Sequence, residues 1–194
     1  MEKPYFETVK SFADVPVDID GDGILTADFL EASDGLVGMF DLLGSAIFGF
    51  VQMDLKNNIR DVRAHYQSST DRHNTVQAMV PGWQGKGALV RLVRGLSFTC
   101  VALQNAQNDR TKELHYCFKG SYDTVLRHHH SFMIRSVVYV ALRAVPYRKD
   151  FYDKIAQGAP HDKLDADLRL WLDGLDTIVT RLSRFLKDGG HGTV

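Results

Sequence analysis

Apolar residues recur along almost the whole chain at the three-and-four spacing of a helix buried on one side. From Thr26, a residue type that caps helices well, they fall at Phe29, Leu30, Leu36, Val37, Phe40 and Leu43. Gly44 ends that helix and Ser45 caps a second, running to about Tyr66 with Phe48, Val51, Leu55, Ile59 and Val62 on one stripe. A polar stretch, 67–74, leads to a short predicted helix around Val76–Val80 and a glycine-rich loop, Pro81–Gly87. A strongly apolar helix follows from Ala88 to about Ala106, then a polar turn at Asn108–Thr111. Two further helices are predicted from about Lys112 to Leu126 and from Ser131 to Ala144. Pro146 forces a break, because it lacks a donor and clashes with the preceding turn. Helices at Arg148–Ala156 and about Asp162–Lys187 complete the set, and the glycine-rich tail Asp188–Thr193 should be loose unless something pins Val194. No segment alternates as a strand does. Eight helices without a sheet imply helix-on-helix packing, an all-α fold in a single domain over residues 1–194.

Composition narrows the function classes. With 44% hydrophobic residues and five prolines among 194, the chain has material for one packed core. Twenty-three basic against twenty-four acidic side chains leave a net charge of -1, so no global field favours nucleic acid. Cys100 and Cys117 lack the number and spacing of a disulfide framework or a zinc ribbon and read as buried free thiols. Asp14, Asp18, Asp20 and Asp22 do not suit a signal peptide, and the apolar stretch Leu36–Val51 is interrupted and short for a membrane span. A cytosolic protein is expected.

Three local motifs invite chemistry that their details do not support. Asp18, Asp20, Asp22 and Gly23 match the start of a calcium-binding EF-hand loop, but position 12 is Phe29 instead of a bidentate Glu. An acidic turn ahead of the first helix is the plainer reading. His128, His129 and His130 stand in a row, and successive helical residues point in different directions, so they do not chelate one ion. One histidine at a polar site on an apolar wall is expected instead. Gly82–Gly87 with Lys86 fails the spacing of a phosphate loop, and no Ser or Thr follows the lysine.

More informative are polar residues inside apolar helices. Asp54, Asn58 and Asp61 stand at i, i+4 and i+7, on one face bordering the apolar stripe. By periodicity alone this line reads as a solvated helix edge. Arg91 and Arg94 sit within Leu89, Val90, Leu92, Val93 and Leu96, where an arginine either snorkels to the surface or pairs with an anion. The pattern does not choose between the two.

Several stretches together resemble the glycolipid transfer protein family. They are FDLLGSAIFGFVQMDLKNNI (Phe40 to Ile59), LVRLVRGLSF (Leu89 to Phe98) and SYDTVLRHHHSFMIRSVVYVALRAVPYRKDF (Ser121 to Phe151), in that order and spacing. The opening segments ETVKSFADV and FLEAS are similar to the fungal heterokaryon-incompatibility branch. The resemblance covers roughly Phe6 to Phe151 and implies a two-layer helical sandwich that encloses hydrocarbon chains and transfers a sphingolipid between membranes, without covalent chemistry or a cofactor. It implies that Asp54 accepts from the ceramide amide N–H, that His130 donates to the amide carbonyl, and that Asn58 meets the sugar of a glycolipid headgroup. Phe40, Leu43, Phe48, Val51, Leu55, Leu126 and Val138 are expected to line the hydrocarbon pocket. The chemistry agrees: a secondary amide at a dry pocket mouth needs both its groups satisfied, and a carboxylate and an imidazole supply acceptor and donor.

Two departures bear on the headgroup. Glycolipid-transferring members carry a sugar-stacking tryptophan where Arg91 stands, whereas arginine there resembles the ceramide-1-phosphate branch, and a guanidinium grips phosphate with parallel donors. Asp61 replaces a lysine that serves the sugar site. Yet Asn58 stands where the phosphate branch has a lysine, and Gly87 where it has another arginine, which Lys86 could replace only by loop placement. The expectation is an anionic headgroup, with Arg94 supporting the site. Neutral glycosylceramide is the alternative, and a lipid sensor that binds without delivering is the competing class. Phe132 occupies the position of the family's membrane-docking tryptophan, with core packing as its plainer reading, and Trp83 is a second expected anchor for transient peripheral contact. Protein partners are not read from the sequence. No nucleophile elbow, metal motif or phosphate loop points to an enzyme.

Overall fold

The computed structural model describes residues 3–42 and 49–194. Among them are seven α-helices: α1 (Thr26–Leu42), α2 (Gly49–Ser68), α3 (Gly87–Asn108), α4 (Leu114–Ser121), α5 (Phe132–Leu142), α6 (Arg148–Ala156) and α7 (His161–Asp188). One π-helical turn, Tyr122–Leu126, prolongs α4, and a 3-10 turn, Arg127–His129, joins it to α5. No strand occurs among the described residues, only two isolated bridges. The predicted Gly44 stop and Ser45 cap, with Leu43 and Phe48, lie outside the described residues.

The centre of the molecule is α3, packed on α2, α4 and α7. Its apolar residues are buried nearly all round, from Leu89 to Ala106. It is long and apolar enough to cross a membrane by length and composition, and here it forms the core of the helical stack. Helix α7 buries one stripe, Leu164, Leu168, Trp171, Leu175, Ile178, Leu182 and Leu186, at the spacing that brings residues to one face. The α3 C-terminus is closed by Arg148, whose Nη2 donates to the carbonyls of Ala106 (2.9 Å) and Asp109 (3.0 Å), groups the helix leaves without partners.

The N-terminal segment docks on α7. Phe6 and Phe12 each set a ring 5.0 Å from that of Trp171, and Gly174 allows the Ala13 backbone so close that an added Cβ would lie 2.2 Å from its nitrogen. The acidic turn is held by an arginine: Arg181 of α7 donates to the carboxylates of Asp18 and Asp22, the latter at 2.9 Å. Two of the carboxylates an EF-hand would use are thereby paired with a cation.

Two expectations are corrected here. Residues Val76–Val80 form turns rather than a helix, because the hydrogen bonds of Val76 and Gln77 run across the fold. Val76 N–H donates to Ile24 carbonyl (2.9 Å), and the Gln77 side chain accepts from Ile24 N–H and donates to Asp22 carbonyl. The helix expected over 112–126 keeps α-geometry only from Leu114 to Ser121. From there the ladder widens, with Arg127 N–H reaching back to Tyr122 carbonyl.

Candidate functional site

A cavity of about 320 Å³ opens between α2, α3, the π turn and α5. Its apolar wall comes from Val51 and Leu55 of α2, Phe98 of α3, Leu126 of the π turn, and Val138 and Leu142 of α5. Asp54, Arg91, Arg94, His129 and His130 form the polar part of its lining. Of the residues expected to line it, Val51, Leu55, Leu126 and Val138 do so. Phe40 is a correction: it is buried in the core, outside the cavity lining, because α1 packs on α2 and does not reach the opening.

The polar residues are linked across two helices. Asn58, buried on α2, donates through Nδ2 to the Asp54 backbone carbonyl (2.8 Å) and to Asp54 Oδ2 (3.2 Å). Its Oδ1 accepts from Arg91 Nε of α3 at 3.0 Å. Arg91, Asn58 and Asp54 therefore form one relay that fixes the orientation of the carboxylate at the rim. The Arg91 Nη1 lies over Gly87, 3.4 Å from where a Cβ would stand, so the bare backbone there makes room for the guanidinium.

His130 faces the same space from the opposite wall. Its Nδ1 meets Tyr122 Oη at 3.2 Å. Burial, above all, raises the Tyr122 pKa, so the hydroxyl keeps its proton and can donate it to Nδ1. With Tyr122 as the donor, the imidazole proton lies on Nε2, where it can serve a ligand. Burial lowers the His130 pKa, opposed by the Asp54 carboxylate and aided by Arg135 and Arg94, and so favours a neutral donor. Arg135 fixes the turn itself, donating Nε to the carbonyls of Arg127 and His130, each at 2.9 Å.

Arg94 has a role that sequence did not reveal. It lines the cavity, but its Nε and Nη2 donate to the Thr193 carbonyl at 2.9 and 2.6 Å. The tail is therefore pinned, with Val194 packed against the core. Burial, then repulsion from Arg91, lower the Arg94 pKa.

Phe132 is 84% exposed, which overturns core packing as its reading, and Met133, Val137 and Val140 of α5 are also exposed. Trp83 is half-buried, its ring stacked on His65 with centroids 4.2 Å apart at 4°. The expected second anchor is thus stacked on an imidazole within the fold, with part of its surface still exposed. Lining residues that sequence reasoning missed include Gly95, Phe98, Tyr122, His129, Ile134 and Leu142. For Gly95 the signal was a glycine within an apolar run, where the Leu55 side chain leaves only 2.6 Å for a Cβ. Among the described residues no cluster of His, Cys, Asp and Glu is arranged to hold a metal.

Residues 24–157 match the family model described as glycolipid transfer protein. The chain belongs to the glycolipid transfer protein family. It is 36% identical over 189 residues to the glycolipid transfer protein of Aureobasidium melanogenum, covering 94% of this chain and 92% of that one. Its fold is similar to the crystal structure of HET-C2, a fungal glycolipid transfer protein, with TM-score 0.88, 40% identity and coverage of 94% and 96%. Human ceramide-1-phosphate transfer protein shares the fold at TM-score 0.83 and 18% identity, over 96% and 97% of the chains. In this glycolipid transfer protein family member, the two-layer all-helical sandwich is therefore shown.

Proposed function

We propose that this protein extracts one sphingolipid from a membrane, sheathes its chains and delivers it to another membrane. The observation that carries the reading is a carboxylate acceptor, Asp54, and a neutral imidazole donor, His130, both lining the mouth of one apolar cavity. A secondary amide offers one donor and one acceptor, and leaving either unmet in a dry site costs about 1–3 kcal/mol. Hydrocarbon burial supplies affinity at about 0.8 kcal/mol per methylene. The exposed apolar face of α5, led by Phe132, would rest on the membrane while the lipid passes.

The headgroup read by Arg91 is anionic, of the ceramide 1-phosphate kind. Its guanidinium is exposed at the rim with Nε on Asn58, which leaves the fork of the side chain toward solvent. One feature favours a neutral glycosylceramide instead: Asn58, with no lysine beside it, is a polar partner suited to hydroxyls, and HET-C2, at 40% identity, is named a glycolipid transfer protein.

Vesicle-to-vesicle transfer of both lipids by the wild-type protein decides the headgroup. Ceramide 1-phosphate moving faster supports the anionic reading, and glucosylceramide moving faster replaces it. Asp54→Val should lower transfer of either lipid by about tenfold or more, with helical circular dichroism unchanged. Undiminished transfer by that variant would rule out the amide clamp. Lipid bound tightly by the wild type but never delivered would favour a sensor.

A further inference from the structure

Two histidines of the three have no role so far, and of these it is His129 that lines the cavity. His129 ends the 3-10 turn that precedes His130, and its side chain lines the lipid cavity. Its Nε2 is enclosed yet has no hydrogen-bond partner among the described residues, although His130, its neighbour, is engaged by Tyr122. Buried polar atoms in folded proteins nearly always have partners, and an exception calls for a cause. Its ring lies against that of His128, centroids 4.0 Å apart at 47°, a contact that uses neither nitrogen.

The surroundings of this nitrogen are electropositive. Arg94 on α3 faces it, with two donors fixed on Thr193 while its charge remains in place, and Arg91 stands one turn earlier on the same helix. His128 and His130 flank it on its own turn, Arg135 of α5 braces that turn, and the one carboxylate of the cavity lining, Asp54 on α2, acts on His130. Burial first, then repulsion from Arg94, hold the His129 pKa down at about 4, so the ring is neutral at physiological pH. A neutral imidazole with an idle nitrogen, set among cations at the mouth of a lipid cavity, is complemented by an oxygen that carries negative charge.

We infer that His129 is a specificity-determining residue of this site, donating Nε2–H to an anionic oxygen of the lipid headgroup while Arg91 grips the same group from α3. The inference rests on the anionic-headgroup reading and extends it to a residue that the amide clamp does not use. A phosphate in that position would bring negative charge to the imidazole and raise its pKa from about 4. A sugar would not do so.

The test compares wild type, His129→Leu and His129→Gln in transfer of ceramide 1-phosphate and of glucosylceramide, after circular dichroism confirms equal helix content. His129→Leu should reduce ceramide 1-phosphate transfer about tenfold, the effect of removing a hydrogen bond to a charged group, and leave glucosylceramide transfer within about twofold. His129→Gln, which keeps a donor, should recover most of the loss. Equal losses for the two lipids, or none, would overturn the inference. Wild-type protein moving neither lipid would instead defeat the proposed function itself. A second readout is the His129 imidazole titration followed by NMR. Short-chain ceramide 1-phosphate should raise its midpoint by more than one pH unit, and sodium phosphate alone should leave it in place. An unmoved midpoint with the lipid, or the same rise with phosphate alone, would show that His129 does not read a lipid headgroup.

Discussion

The frame made by α3 and α7 and the wall running from α4 to α5 are both helical and both apolar, yet they are built to opposite standards. In the frame, apolar side chains from two long helices interlock, and Trp171 lies between Phe6 and Phe12 with 1% of its surface exposed. In the wall, the helix widens, tightens and restarts within ten residues, and α5 buries only Val138 and Leu142 of its eleven. The frame holds Arg91 in a fixed place, whereas the wall carries His130, much of the greasy lining and the exposed apolar face led by Phe132. A cavity of about 320 Å³ is at the small end for ligand sites, which span roughly 300–1,000 Å³, so the proposed lipid chains would have to part its walls. The side with fewer buried contacts yields first.

The largest effect should come from attacking the frame. Trp171→Ala removes the ring on which the N-terminal segment docks and should cost about 3–5 kcal/mol, seen as a lower denaturation midpoint. A loss below about 1 kcal/mol would mean the frame is no firmer than the wall. Phe132→Ser attacks the wall and should do the reverse. Transfer falls about tenfold through weaker membrane contact, while stability stays within about 0.5 kcal/mol of wild type. Vesicle sedimentation beside a denaturant titration separates the two, and a matching fall in stability would place Phe132 among the structural residues. Arg91→Trp, at the junction of frame and wall, should change the ratio of ceramide 1-phosphate to glucosylceramide transfer severalfold towards the sugar lipid. An unchanged ratio would show that Arg91 does not read the headgroup.

The smallest effect is on acid stability. Burial holds both His129, near 4, and His130 below the ordinary 6.5, so the folded chain resists protons that the unfolded chain accepts. Stability is therefore complete above about pH 6.5 and declines as the pH falls towards 4. Thermal midpoints across that window should drop, less steeply in His129→Leu, and a midpoint that rises on acidification would contradict the burial of these rings.

The frame was legible in the sequence because periodicity reports burial of a continuous face: α3 and α7 lie within a residue or two of their predicted limits. The wall was less so. Tyr122 and Leu126 are four apart and fit an ordinary helix, so nothing local announces the π turn that brings Tyr122 to His130. Contacts between residues distant in sequence were also hidden. Gln77 looked helical, although it serves the Ile24 segment, and nothing local showed that Arg94, which lines the cavity, also holds the tail at Thr193. Asp54, Asn58, Arg91 and His130 were selected through family likeness. Spacing alone had left the α2 line as a solvated edge and the arginines undecided.

The widened turn at Tyr122–Leu126 amounts to one residue more than an α-helix would need. Excising a residue there would restore the regular ladder and, at 3.6 residues per turn, swing everything downstream by about 100° around the axis. The histidine row would then sweep past the carboxylate it now confronts. A deletion of this kind, tolerable in many helices, would here leave the proposed amide clamp with Asp54 alone.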